Sequence, residues 1–455
     1  MSFRSIRAPW FLAVLLGITM AATACSGATS SPAASPTKAP AAAPTQAAAP
    51  TTAPTQAAAG AAAAATSAPS GTTQKFDGTI LIGDSTSLTG SLAVEAGLTL
   101  NGAKLAIDQY NKAGGVLVGG KHYQLVLKTY DDESKSDTTV QLIQKLITQD
   151  HVQFLLSPYS SGQVQAGAPI AEKYKTIMIN DGGAADSLFT RGFKYMFTDN
   201  VLASHYLYST IDMALAQNPP VKKIALIGAN DVFSTTVLKG AEAYAKSKGL
   251  DVVYTTTYPP TTQDLSTILT AVKQAQPDAL FGSGHFEDAI LTVRQAKQLG
   301  VNVKMMGFTV GPSTPDFANS LGADANYVLG PVSWSPQQKN TSDDIFKSSA
   351  NFAALYKAKF TQDPDYHSAQ GGAGVVALVT AIQNANSLDT AKVQQALVNL
   401  NVKSFWGQLK FNAQGVTAAQ NDVVEQIQNK THVLVWPTDV AAGKLQYPMP
   451  AWNKR

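Results

Sequence analysis

The sequence has little cysteine and little charge. Its one cysteine, Cys25, excludes an intrachain disulfide and a cysteine-based metal site. Only 14% of the residues are charged, and 34 Lys and Arg against 31 Asp and Glu leave a net charge of +3. Such a chain lacks the basic surface of a nucleic-acid-binding protein, so we expect no nucleic-acid partner. The six histidines lie far apart in the sequence, and this spacing predicts no zinc site.

The sequence also lacks the common signatures of an enzyme. No Gly-x-Gly-x-x-Gly opens a helix after the first strand, no phosphate-binding loop with Gly-Lys-Ser/Thr is present, and no Gly-x-Ser-x-Gly marks a nucleophile. The counts of Ser, His and Asp leave a serine triad open, but no pattern marks one. Acidic pairs such as Asp131-Asp132 are usually solvated or cap helices. We therefore expect no catalytic residue, no cofactor and no metal, and hence no enzyme.

Residues 1–25 have the pattern of a targeting segment. Two arginines precede an apolar run at 10–20 that is too short to span a bilayer. The segment ends in Ala-Thr-Ala-Cys at 22–25, which resembles the signal of a bacterial lipoprotein, cut before a cysteine that becomes lipidated. The alternative is an ordinary secretory signal with the same cleavage point, which leaves a free thiol. We favour the lipoprotein signal, with Cys25 as lipid anchor, because the only cysteine lies where the anchor needs it.

Residues 26–75 consist mainly of Ala, Pro and Thr. This composition cannot build a packed core, and the frequent prolines block long helices. We predict a disordered tether that separates a folded domain from the membrane surface. Signal and tether together predict an extracytoplasmic protein that is lipid-anchored to the outer face of the cell membrane, or periplasmic. Its contact with the membrane would be through the lipid anchor only.

From residue 76 onward, strands alternate with helices. This rhythm predicts an α/β fold with mainly parallel sheets, in which ligands bind beyond the carboxyl ends of the strands. The predicted strands span 79–83, 123–130, 151–156, 176–180, 223–228, 252–258, 279–282, 304–307 and 431–436. The predicted helices span 98–110, 137–148, 164–174, 235–248, 265–274 and 288–299. The last residues, 447–455, are predicted to form a loose tail.

Residues 154–170 combine a short apolar strand, a hydroxyl-rich loop and the start of a helix. The first N–H groups of a helix have no intrahelical partner, and the helix dipole adds partial positive charge there. A strand that leads through such a loop into a helix therefore predicts an anion site. Ser160 or Ser161 can cap the helix and still offer a hydroxyl to a ligand. The alternative is that both serines only cap it.

Several stretches, taken in order, are similar to one family. They are Asn101-Gly102-Ala103, Asn111-Lys112-Ala113-Gly114-Gly115-Val116, Asp131-Asp132, Ser160-Ser161, Ala168-Pro169-Ile170-Ala171, Arg191-Gly192, Arg294-Gln295-Ala296 and Leu299-Gly300. Together they resemble the branched-chain amino-acid-binding (leucine/isoleucine/valine-binding) proteins, which are type I periplasmic binding proteins of ABC importers. The resemblance covers about residues 76–430.

The resemblance implies two doubly wound α/β lobes with mainly parallel sheets, joined by three crossing strands, and a ligand trapped between the lobes. We place the crossings near 198–200, near 330–333 and after 415. The first lobe would then comprise residues 76–199 and 331–416. The second would comprise residues 200–330 and 417–455.

The resemblance also implies a ligand-binding set. Ser161 matches the residue whose hydroxyl binds the ligand carboxylate in this family, which agrees with the anion site argued above. One aromatic position of the second lobe matches Phe233 and another matches His285 or Phe286, whereas no first-lobe aromatic is evident at 88–94. The full expected set is Ser160, Ser161, Gly183, Ala184, Phe233, His285 and Thr309.

Two positions depart from the family pattern. Ala184 stands where a Ser or Thr normally contacts the ligand amino group, and Thr309 stands where an acid normally pairs with the ammonium. Because a buried ammonium without a carboxylate is costly, the ligand would either lack an amino group or find its charge partner elsewhere. The candidates for that partner are Asp181, Asp231 and Glu287. Trp334 and Tyr366 are candidate cleft walls, although packing in the core explains such aromatics equally well.

The resulting hypothesis is a substrate-binding lipoprotein that captures a small carboxylate-bearing solute in the interlobe cleft. That solute would be a branched-chain or other amino acid, an amide or an aromatic acid. The protein, expected to be a monomer, would deliver it to an ABC permease and its ATPase. The alternative is an extracytoplasmic ligand sensor that feeds a signalling receptor, and a third class is an extracytoplasmic enzyme on the same scaffold.

Overall fold

The computed structural model describes residues 75–418 and 422–455. The predicted signal peptide, the anchor Cys25 and the predicted tether up to Gln74 lie outside the described residues. Across the described ranges, no helix is long and apolar enough to cross a membrane. Within the same ranges, His, Asp and Glu side chains nowhere gather into a group that could hold a metal ion.

The first lobe is built on a six-stranded sheet. Its strands lie in the order β2-β3-β1-β4-β5-β6, and all neighbours are parallel except the β2–β3 hairpin. The strands are β1 (Gly78–Thr86), β2 (Val116–Val118), β3 (Lys121–Asp131), β4 (Phe154–Leu156), β5 (Ile177–Asn180) and β6 (Met196–Thr198). The helices that connect them are α1 (Ala93–Lys112), α2 (Ser136–Thr148) and α3 (Ser161–Lys173).

The second lobe is built on a seven-stranded sheet in the order β15-β14-β11-β10-β9-β7-β8, of which β7 to β11 run parallel. Its helices are α4 (Tyr208–Leu215), α5 (Val232–Ser247), α6 (Ser266–Ala275), α7 (Phe286–Gln298) and α8 (Pro315–Leu321). Its strands are β7 (Lys223–Ala229), β8 (Asp251–Tyr258), β9 (Ala279–Ser283), β10 (Met305–Phe308), β11 (Leu329–Val332), β14 (Val423–Gln428) and β15 (Thr431–Trp436).

Between β11 and β14 the chain returns to the first lobe. This segment contains α9 (Ser349–Phe360), α10 (Tyr366–Ala385), α11 (Thr390–Val398) and the hairpin β12 (Asn401–Lys403) with β13 (Gln408–Lys410). The chain thus passes between the sheets three times: after β6, after β11 and before β14. Two of these crossings lie side by side, because Thr198 at the end of β6 bridges to Val416. The parallel-dominated, two-lobed α/β fold expected from the sequence is confirmed, whereas the lobe boundaries stay a prediction.

Helix α10 packs directly against α1. A Cβ atom on Gly102 would lie 1.7 Å from the carbonyl oxygen of Ser368, and one on Gly371 would lie 2.1 Å from that of Thr99. Because no side chain fits there, glycine is required on both helices at their point of contact. The contact is the physical reason for the Asn-Gly-Ala motif at 101–103. It also holds the first turn of α10 in place.

The carboxyl-terminal residues are not a loose tail, so that prediction is wrong. Met449 is buried. The indole N–H of Trp452 donates to the carbonyl of Val301 at 2.7 Å, and its backbone N–H donates to Oδ1 of Asn302 at 2.9 Å. These bonds fasten the end of the chain to the second lobe.

Candidate functional site

A small cavity lies between the two lobes, where loops at the carboxyl ends of both sheets meet. This is where a doubly wound fold is expected to bind its ligand. It is lined by Tyr159, Ser160, Ser161, Gly182, Ala184, Asn200, Tyr206, Phe233, His285, Val310, Tyr366, His367 and Gln370. A wider hollow shares Ser160 and His285 with the cavity and forms the mouth of the cleft.

Five of the seven expected site residues line this cavity: Ser160, Ser161, Ala184, Phe233 and His285. The other two, Gly183 and Thr309, do not line it, but a chain neighbour of each does.

Gly183 packs instead against the first lobe, since a Cβ atom there would lie 2.8 Å from Cγ2 of Val164. Thr309 is buried, with its hydroxyl 3.3 Å from that of Ser283. Gly182 and Val310 face the cavity in their stead.

Helix α3 begins at the cavity with two serines whose hydroxyls are available. Ser160 is the N-cap residue, but within the described part of the chain its side chain makes no capping hydrogen bond. The Ser161 hydroxyl oxygen accepts hydrogen bonds from the backbone N–H groups of Ala184 and Ala185, at 3.0 and 3.1 Å. A hydroxyl that accepts two bonds still has its own O–H to donate. The structure therefore does not support the alternative in which the serines only cap the helix.

The loop after β5 is shaped by Asn180. Its side-chain Oδ1 accepts from the Gly183 N–H at 2.8 Å, and its Nδ2 donates to the Gly183 carbonyl at 2.8 Å. Nδ2 of Asn200, after β6, donates to the same carbonyl at 3.1 Å. These bonds hold residues 182–184 in one conformation, so the backbone that faces the helix start is rigid before a ligand arrives.

Aromatic rings form the walls of the cavity. Tyr206 and Phe233 of the second lobe meet edge to face at 5.1 Å between ring centroids. Tyr159 supplies the first-lobe aromatic that the sequence did not reveal at 88–94, and it precedes the two serines directly. Tyr366 lines the cavity as a candidate wall, whereas Trp334 packs in the core against Phe352 and Phe405.

Two histidines face the cavity, one from each lobe. His285 of the second lobe lies with Nδ1 3.3 Å from the Tyr159 hydroxyl. Its two ring nitrogens lie 3.8 Å from Glu95 and 3.9 Å from Asp231. His367 of the first lobe is hydrogen-bonded through Nδ1 to the Asp365 carboxylate. An acid thus fixes the ring of His367 through a hydrogen bond, whereas the acids near His285 lie beyond hydrogen-bond distance.

Among the described residues, no aspartate or glutamate lines the cavity. Of the three acids considered as ammonium partners, Asp181 is buried beside Ser157, and burial raises its pKa to about 7. Asp231 accepts from the N–H and hydroxyl of Ser234 and so caps α5. Glu287 belongs to the cleft mouth. None of the three lines the cavity itself, and Asp231, like Glu287, belongs to its mouth.

Glu95 joins the two lobes directly. It lies in the first turn of α1, is fully buried, and its Oε1 accepts the backbone N–H of Phe286 from α7 at 2.8 Å. Burial raises the pKa of Glu95 above its ordinary value, against the opposing influence of His285. This contact is not predicted from the sequence, because the predicted helix begins at Leu98 and leaves Glu95 in a loop.

Comparison with known proteins identifies the family of the chain. Residues 79–431 match the model of the periplasmic binding proteins. The chain is similar to the Leu/Ile/Val-binding protein homolog 8 of Brucella abortus, at 25% identity over 375 residues that cover 79% of this chain and 91% of that protein.

Two solved structures share the fold. The branched-chain amino acid transporter substrate binding protein LivJ of Streptococcus pneumoniae, in complex with isoleucine, has a TM-score of 0.69 at 22% identity, covering 81% of this chain and all of that one. A solute binding protein of an ABC transporter from R. palustris, in complex with benzoate, has a TM-score of 0.67 at 17% identity, covering 82% and 97%. The expected resemblance is confirmed: the chain belongs to the periplasmic binding protein family, whose members bind solutes and are not enzymes.

Proposed function

We propose that this protein is the substrate-binding component of an ABC importer, and that it captures a small carboxylic acid in the interlobe cavity. The observation that carries the proposal is the start of α3, where Ser160 and Ser161 line the cavity with hydroxyls that have a hydrogen to donate. Together with the unpaired N–H groups of the first helical turn, they form a set of donors suited to a carboxylate.

The other end of the cavity disfavours an ammonium group. No acid of the described chain lines it, and a buried ammonium without a carboxylate partner costs several kcal/mol, in order of magnitude. The structural neighbours bind isoleucine in one case and benzoate in another, so both kinds of ligand occur on this fold. For this chain we favour an aromatic or branched acid that lacks an amino group.

Binding is coupled to closure of the two lobes. The cavity takes Ser161 and Tyr159 from the first lobe and Phe233 and His285 from the second. A ligand that touches both lobes stabilises the closed state by its differential affinity for that state. We propose hinge motion between residues 76–199 with 331–416 and residues 200–330 with 417–455.

Delivery to a permease and its ATPase completes the proposed role. Cys25 would carry the lipid, and residues 26–75 would tether the binding domain to the outer face of the cell membrane. Two acyl chains suffice for stable anchoring, whereas one is marginal. The protein would act as a monomer, since each chain supplies a complete cavity of its own.

The test is isothermal titration calorimetry of the purified protein with leucine, isoleucine, benzoate and branched acids that lack an amino group. We expect saturable binding of one carboxylate per protein. Ser160→Ala removes a hydroxyl without removing a capping bond, so it should weaken binding by roughly 0.5–1.5 kcal/mol, about 2- to 13-fold. Ser187→Ala, at an exposed serine, is the matched control. Equal affinity in Ser160→Ala and the control would contradict the proposed site.

A further inference from the structure

Two buried nitrogen atoms at the cavity have no partner. Nε2 of His367 and Nε2 of Gln370 make no hydrogen bond with any described residue, although both side chains are only 2% exposed. Both residues line the cavity. Buried polar groups are almost always paired, so an unpaired couple at a binding cavity indicates a group that arrives with the ligand.

The two residues lie side by side. They are three positions apart on the first turn of α10, which places them on the same face of the helix. The turn is fixed by Asp365, whose carboxylate accepts from the N–H and the hydroxyl of Ser368 at 3.0 Å each. The glycine contact between α1 and α10 holds the same turn from the other side. The pair is therefore held in position by the first lobe.

Two aromatic rings hold the ring of His367 in position. It stacks on Tyr366 at 3.9 Å and meets Tyr159 edge to face at 5.6 Å between centroids. Burial tends to raise the pKa of Asp365, but the charge and hydrogen bond of His367, with the bonds from Ser368, hold that pKa below its ordinary value. Asp365 is therefore a carboxylate that accepts the hydrogen on Nδ1. Nε2 is the histidine atom left for the ligand.

We propose, on the basis of the function proposed above, that His367 and Gln370 bind a hydroxyl group of the ligand, so that the substrate is a hydroxy acid. The carboxylate of this acid lies at the start of α3. Its hydroxyl lies between the histidine nitrogen and the glutamine amide.

A hydroxyl fits this pair better than the alternatives. Because a hydroxyl both donates and accepts, it can pair with Nε2 of His367 and, at the same time, accept from the amide N–H of Gln370. A methyl group leaves both nitrogens unpaired. An ammonium group donates but cannot accept from the amide, and no acid among the described residues lines the cavity to balance its charge.

The experiment is calorimetry of the purified protein with two matched ligand series. One series is benzoate with its meta- and para-hydroxy derivatives. The other has three members with the carbon skeleton of leucine: leucine itself, the acid with hydrogen in place of the amino group, and the acid with hydroxyl in place of the amino group. In wild type, the best hydroxy acid of a series should bind about tenfold more tightly than its parent acid, the effect of one well-made hydrogen bond. Leucine should bind more weakly than its hydroxy counterpart.

Gln370→Leu tests the site itself. In this variant, the ratio of the affinity for the hydroxy acid to the affinity for its parent acid should fall towards one. Gln383→Leu, the same substitution at an exposed position of the same helix, should keep the wild-type preference. If Gln370→Leu does not fold, Gln370→Met serves in its place, and the wild-type series stands on its own.

Three results overturn the inference while leaving the proposed function intact. The first is equal affinity for parent and hydroxy acids in wild type. The second is a preference that survives in Gln370→Leu, because the hydroxyl then lies elsewhere. The third is tighter binding of leucine than of its hydroxy counterpart. If no member of either series binds, the proposed function itself fails, and the inference falls with it.

Discussion

Replacing Asp181 with asparagine should change how the stability of the protein depends on pH. Asp181 follows β5, is 2% exposed, and its Oδ1 accepts from the Ser157 hydroxyl at 3.2 Å. Burial raises its pKa from 3.8 to about 7. Burial likewise raises the pKa values of Asp84 and Asp199, and the nearness of Asp181 adds to both. The folded first lobe thus holds protons that the unfolded chain releases.

The sign and size follow from proton linkage. Between the unfolded pKa of 3.8 and the folded pKa of about 7, the folded state binds more protons, so stability falls as pH rises, by ~1.4 kcal/mol per pH unit for one group. From about pH 5 to about pH 8, Asp181 alone therefore accounts for a loss of roughly 2–3 kcal/mol. Below the unfolded pKa its contribution is fully present, and above about pH 7 it is gone.

Urea unfolding followed by circular dichroism, at about pH 5 and about pH 8, measures this loss. Asp181→Asn keeps an oxygen for Ser157 but cannot ionise, so it should lose roughly 2–3 kcal/mol less than wild type over this interval. It should not abolish the pH dependence, because burial also raises the pKa of Asp422 to about 7. Asp343→Asn, at an exposed aspartate, is the control. Identical pH dependence in wild type and Asp181→Asn would show that the pKa of Asp181 is not raised in the folded protein.

Three further predictions concern closure, packing and anchoring. Glu95→Ala removes the acceptor for the Phe286 N–H and should weaken ligand binding about tenfold in calorimetry. Glu95→Gln keeps an acceptor and should bind the ligand more tightly than Glu95→Ala. Equal affinities of the two variants would contradict the interlobe bond. Gly371→Ala should lower the unfolding free energy by about 1–3 kcal/mol through overpacking against α1. Gly97→Ala should not lower it, because a Cβ there meets nothing within 4 Å. Equal thermal midpoints of the two variants would contradict the helix contact. Cys25→Ser should move the protein from the membrane fraction to the soluble fraction in blots of fractionated cells, and unchanged partition would contradict the lipid anchor.

The parts of the fold that could be predicted from the sequence are those with local signals. Strands such as β7 and β9 are continuous apolar runs bounded by turn residues, and the structure has them within a residue or two of their predicted limits. The site at α3 was predicted for the same reason, since strand, hydroxyl loop and helix follow one another within 20 residues of chain. Local chemistry alone places Ser160 and Ser161 at the helix start.

Helix α10 could not be predicted from periodicity, because it is buried on all sides from Tyr366 to Val379 and shows no polar face there. It lies roughly 200 residues beyond α3 in the sequence, and only the return of the chain to the first lobe brings them together. The local signal in its buried part is the pair His367 and Gln370, two polar residues three apart in a stretch of mainly small and apolar residues.

The sequence also does not predict which residue of a loop faces the cavity. Which of Gly182 and Gly183 faces the cavity depends on how Asn180 folds the loop, and that depends on hydrogen bonds rather than on a repeating pattern. The same holds for Thr309 and Val310 after β10. Glu95 was not predicted as a site residue because the first turn of α1 lacks a clear start signal. Its N-cap residue is Leu92, which makes no side-chain capping bond in the described structure.

The absence of an ammonium partner among the described residues can be tested by calorimetry on the purified wild-type protein, comparing leucine with the same acid lacking its amino group. The cavity offers hydroxyl and backbone donors to a carboxylate at the start of α3, and no acid of the described chain lines it to pair with an ammonium. The account therefore predicts that the acid without the amino group binds more tightly than leucine. Tighter binding of leucine would contradict it, because a carboxylate partner for the ammonium would then have to lie in the cavity.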